Sequence, residues 1–94
     1  MKLELLKSHD IEFLGKVARY QNGCVAFVDE VREGAWQLDD DEFKDSLYVM
    51  ERMGLIHVSG EGSDRIIKVL TIGRDIIARL HDRGEIPEDC RVGA

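Results

Sequence analysis

The stretch Leu47-Tyr48-Val49-Met50-Glu51-Arg52-Met53-Gly54-Leu55-Ile56, followed fourteen residues later by Leu70-Thr71-Ile72-Gly73, decides the fold. Phe43, Leu47, Met50 and Gly54 recur at helical spacing, with Ser46 and Met53 bordering that apolar face. Gly54 stops the helix, because glycine takes the left-handed cap conformation without a Cβ clash. Leu55 to Val58, continuing through Ser59, reads as a strand. Gly60-Glu61-Gly62-Ser63-Asp64 reads as a polar hairpin tip, and Arg65 to Leu70 as the strand that pairs back. Thr71 caps a last helix over about residues 72–83, with Ile72, Ile76, Ile77 and Leu80 facing inward and Gly84 as its stop.

Three helices precede the hairpin. The third opens at Asp39, with Glu42 three positions on, a capping box with Asp in place of Ser or Thr. The run Asp39-Asp40-Asp41-Glu42 also complements the positive end of the helix dipole, and it has no calcium-loop spacing. The second helix spans about residues 24–33, with Cys24, Phe27, Val28 and Val31 on one side and Gly34 as its stop. Trp36 and Leu38, in the short connection that follows, are expected to plug the core. The first helix covers about residues 9–20, with Ser8 or Asp10 as N-cap and Asn22-Gly23 as the turn that ends it. Residues 1–7 form an N-terminal arm, 8–83 the single domain and 84–94 a loose tail.

This order resembles the winged helix-turn-helix regulators, most closely their MarR-like and PadR-like branches. Met50-Glu51-Arg52-Met53-Gly54-Leu55-Ile56 matches their "hydrophobic-E-x-x-G-L-I" signature. Leu70-Thr71-Ile72-Gly73 matches their "L-T-x-x-G" with the glycine one position early. The resemblance covers about residues 8–83. It implies an α+β fold with a three-helix core, a two-stranded wing and a C-terminal helix, and a DNA-binding regulator acting as a homodimer. In such proteins the third helix enters the major groove and the wing touches the adjacent backbone. Carried onto this chain, the rule selects Lys44, Tyr48 and Arg52 on the third helix and Arg65 and Lys68 on the wing as DNA contacts. The apolar arm (Leu3, Leu5, Leu6) and the last helix (Ile77, Leu80) are the expected dimer surface.

Charge argues the other way. The 94-residue chain carries a net charge of −6. From Asp39 to Met53, six acids face two bases, a net −4 on the helix that would read the groove. Carboxylates repel phosphates, and only a cytosine amino group rewards one in the groove. The alternative is therefore an adaptor that presents this acidic helix to a basic protein partner.

Other classes are weaker. Cys24 and Cys90 lie 66 positions apart, too few ligands for a zinc site or a disulfide framework, and read as a buried small hydrophobe and an exposed tail thiol. His9, His57 and His81 make no metal-ligand spacing, and no serine sits in a nucleophile elbow. Neither an enzymatic activity nor a cofactor is expected. No apolar run reaches the roughly 18 residues of a membrane span, and no signal-peptide core develops, so a cytoplasmic location is expected.

Overall fold

A computed structural model describes residues 5–86. The chain is α+β, in the order α1 (Ser8–Tyr20), β1 (Val25–Phe27), α2 (Val28–Gly34), α3 (Asp40–Arg52), β2 (Ile56–Ser59), β3 (Ile66–Val69) and α4 (Thr71–Asp82). A 3-10 turn, Gly62–Asp64, forms the hairpin tip. The three strands make one antiparallel sheet with β3 in the middle, in the order β1-β3-β2.

The expected two-stranded hairpin is thus a three-stranded sheet, and the second helix starts four residues later than its apolar pattern suggests. Residues 25–27 pair with 66–68, and the ladder continues beyond the strand at both ends. Val69 N–H donates to Cys24 C=O (2.7 Å), and Val28 N–H donates to Arg65 C=O (3.0 Å). Cys24 enters this strand at φ 67°, a left-handed conformation that costs a residue with a Cβ roughly 1–2 kcal/mol. The Gln21 side chain holds the turn by accepting from the Cys24 amide at 2.9 Å. Cys24 is half-buried against the core, and Cys90 lies outside the described residues.

Phe13, Leu14, Val17 and Ala18 of α1 fill the centre and meet Phe43 and Met50 of α3, Ile67 and Val69 of β3, and Ile76, Ile77 and Leu80 of α4. Phe13 meets Phe43 edge-on, with ring centroids 5.4 Å apart. Neither Ser8 nor Asp10 is the N-cap of α1. Lys7 occupies that place, and Asp10, three residues on, accepts from the Lys7 amide at 3.0 Å. Asp39 caps α3 as expected: it accepts from the Glu42 amide (2.8 Å), and the Glu42 carboxylate accepts from the Asp39 amide (3.1 Å).

Helices α3 and α4 end alike. Gly54 and Gly84 stand at φ 79° and 76°, where only glycine is unstrained. The amides of Leu55 and Glu85 then reach back to Met50 and Leu80 C=O, which closes the last turn. After Gly84 the chain is not yet a tail: Ile86 is buried against α1 beside Gly15, so the domain extends past residue 83.

Three apolar expectations fail. Trp36 does not plug the core; it is 76% exposed, and Leu38 alone fills that role. Ile72 faces solvent, and Gly73 takes the inward place. Ile77 and Leu80 offer no dimer surface, because α4 spends them on its own core. In the arm, Leu6 packs against the core, Leu5 is exposed, and Leu3 lies outside the described residues. Among the described residues no helix is long and apolar enough to cross a membrane.

Candidate nucleic-acid interface

α3 is amphipathic, so burying Phe43, Ser46 and Met50 turns Asp41, Lys44, Tyr48 and Arg52 outward. Arg52 donates to the Tyr48 hydroxyl at 3.1 Å, one turn away, which holds both side chains along the helix. Lys44 stands on the α2 side. With Arg32 and Arg65 it rims a cleft of about 390 Å³ whose floor is Val28, Phe43 and Leu47. The backbone bond from Val28 to Arg65 places Arg65 at the start of α2, within the same cleft.

The five residues selected from sequence therefore divide. Lys44, Tyr48, Arg52 and Arg65 border α3. Lys68 does not join them. It stands on the solvent face of β3, between Val25 of β1 and His57 of β2, because Ile67 and Val69 on either side point into the core.

The acids of α3 are mostly engaged inside the domain. Asp39 and Glu42 cap the helix. Asp40 pairs with Arg32, whose guanidinium also lies over the Phe43 ring, 5.3 Å from its centroid. Asp45 is hydrogen-bonded to His9 at 3.0 Å and lies 3.8 Å from the Lys7 ammonium. Glu51 accepts from the Val58 amide at 2.8 Å. Asp41 alone of the six has no partner among the described residues. Sequence reading counted these charges but could not pair them, since His9 and Asp45 are 36 positions apart.

His9, Asp10 and Asp45 bring one imidazole nitrogen and two carboxylate oxygens within 4.8 Å of one another. Both Asp10 oxygens already accept, one from Ser46 Oγ (2.8 Å) and one from the Lys7 amide (3.0 Å). The group works as a clamp that joins the start of α1 to the middle of α3.

The hydrogen bond from His9 holds the Asp45 carboxyl below its ordinary value of 3.8, with the Lys7 charge adding to it. Arg32 does the same for Asp40 by hydrogen bond and charge. A carboxyl lowered on folding stabilises above its ordinary value, and that contribution is lost as the pH falls below 3.8 through the folded value. Asp45→Asn should therefore narrow the stability difference between neutral pH and pH below that value, as followed by urea denaturation. Both groups are solvent-accessible, so the change should be small.

No family model, curated protein or solved structure matches the chain.

Proposed function

We propose that this chain is a winged-helix module that binds duplex DNA, with α3 as the groove-facing helix and Lys44, Tyr48, Arg52 and Arg65 as its contacts. The observation that carries this reading is the grouping of bases on the outward side of α3, where Lys44 and Arg52 are exposed, Arg52 is held along the helix by Tyr48, and Arg65 shares a cleft with Lys44. The charges of Asp40, beside the Arg32 guanidinium, and of Asp45, 3.8 Å from the Lys7 ammonium, are offset by these cations, whereas Asp39, Glu42 and Glu51 accept from neutral amides and keep theirs. On the outward stripe Lys44 and Arg52 stand with Asp41, and Arg65 lies beside Lys44 in a cleft that Arg32, Asp29 and Asp40 also line. The order α1-β1-α2-α3-β2-β3-α4, with the β2–β3 hairpin next to the C-terminal end of α3, supports the winged-helix assignment.

The test is titration with random-sequence duplex DNA at several salt concentrations. Binding should weaken steeply with salt, because each neutralised phosphate releases counterions. Lys44→Ala, Arg52→Ala and Arg65→Ala should each weaken binding by about tenfold at low salt and flatten the slope of log K against log salt by about one. Lys68→Ala, on the outer sheet face, should change neither.

A second reading, an adaptor for a basic protein partner, is favoured by the net charge of −6 and by Asp41 on the outward stripe. The absence of duplex binding at low salt would sink the first reading and favour this one.

A further inference from the structure

The clamp between α1 and α3 holds more donor capacity than its hydrogen bonds use. His9 Nε2 lies 3.0 Å from Asp45 Oδ2 and 3.6 Å from Asp10 Oδ1. All three atoms fall within 4.8 Å of one another. His9 and Asp10 stand at the start of α1 and Asp45 in the middle of α3, so the fold alone brings them together. A tetrahedral zinc ion, with ligands at about 2.0–2.2 Å, sets its donor atoms roughly 3.4 Å apart. The two separations from His9 fall on either side of that value.

Charge inside the clamp is unbalanced. Asp10 is 3% exposed, and among the described residues it pairs with no lysine or arginine. Its two close donors, the Lys7 amide and the Ser46 hydroxyl, are neutral. A buried charge is costly unless it is paired or coordinates a metal. The Lys7 ammonium stands beside Asp45 instead, at 3.8 Å, on an exposed stem that is free to swing away. Each carboxylate oxygen has two lone pairs, so Asp10 Oδ1 accepts from Ser46 and keeps one for a further partner.

The surroundings are those of a ligand set. The far nitrogen of His9, Nδ1, faces Glu42 Oε2 at 3.9 Å, while Glu42 Oε1 caps α3. A carboxylate behind an imidazole orients the ring with its other nitrogen toward a metal, and donors behind a carboxylate orient it likewise. One imidazole nitrogen with two carboxylates suits zinc. Calcium and magnesium take oxygen ligands.

We propose that His9 Nε2, Asp10 Oδ1 and Asp45 Oδ2 bind a zinc ion that ties the start of α1 to the middle of α3, with water completing its coordination. The inference does not rest on the nucleic-acid reading.

The experiment is calorimetric titration of the full, metal-free chain with zinc chloride near neutral pH. It uses the wild type, His9→Ala, Asp45→Asn and two controls that remove zinc-binding groups elsewhere, His57→Ala and the pair Cys24→Ser/Cys90→Ser. The wild type should bind one equivalent. Its thermal unfolding midpoint should rise with excess zinc and return with a chelator, because the ion binds only the folded chain. His9→Ala and Asp45→Asn should each weaken binding about tenfold or more and remove most of the thermal shift. Both controls should keep binding and shift. The His9 Nε2 nitrogen-15 resonance should move on zinc addition. Far-UV circular dichroism of every variant checks that the fold is kept. A wild type that takes up no zinc overturns the proposal. So does uptake that His9→Ala and Asp45→Asn leave unchanged, or that the cysteine pair abolishes, since another donor set then holds the ion.

Discussion

Gly73→Ala should lower the stability of the domain by about 3 kcal/mol or more, one of the largest effects available from adding a single methyl group. A Cβ at position 73 would lie 2.0 Å from Leu55 C=O oxygen and 2.9 Å from its carbon. Both atoms are backbone, and that oxygen also accepts the Leu70 amide at 2.9 Å. Neither can turn aside as a side chain could. Relief requires α4 to move off the start of the hairpin, which opens the contacts of Ile76 and Ile77. Chemical denaturation measures the loss, and a change of less than half a kcal/mol would show that α4 does not pack this closely. The glycine that stands one position early in Leu70-Thr71-Ile72-Gly73 thus has a steric cause on this chain: it lets α4 cross the Leu55 carbonyl.

Asp10→Ala comes second. Asp10 is 3% exposed and holds two donors, the Lys7 amide at the start of α1 and the hydroxyl of the fully buried Ser46 on α3. Among the described residues no buried side-chain polar atom lacks a partner, and this substitution would create one at Ser46. Leaving a buried donor unpaired costs about 1–3 kcal/mol, and loss of the helix-start contact adds about 1 kcal/mol. A loss of about 3 kcal/mol is expected. Ser46→Ala in the Asp10→Ala background should recover part of it, because the orphaned hydroxyl is then gone. A double-mutant cycle reads that coupling directly. Purely additive losses would mean that Asp10 and Ser46 do not act as a pair.

Elements with strong local signals were legible in the sequence. The Asp39 and Glu42 capping box, the Gly54 and Gly84 stops and the glycine-rich hairpin tip each depend on residues within one turn of one another. β1 was not legible. Val25-Ala26-Phe27 is three residues long, runs straight into α2 and is a strand only because β3 lies beside it. The left-handed Cys24 that admits it has no sequence signature. Apolar patterning also misassigned Trp36, Ile72 and Phe27, because a spacing rule cannot tell a large residue in the core from one left outside. Phe27, read as part of the buried face of the second helix, stands half in solvent across from Ile66. In the candidate interface, residue types were legible but charge balance was not. The cations beside Asp40 and Asp45, Arg32 of α2 and Lys7 at the start of α1, are distant in sequence, so a count along α3 left them out.

Glu51 has a consequence beyond that balance. β2 is an outer strand of the sheet, and in an antiparallel ladder with His57 facing Lys68, the Val58 amide points away from β3. An unpaired outward amide is a place where a foreign strand can add to a sheet. The Glu51 carboxylate occupies that amide from the neighbouring helix. One side chain therefore ends the ladder at β2 and sets a charged guard against edge-to-edge polymerisation.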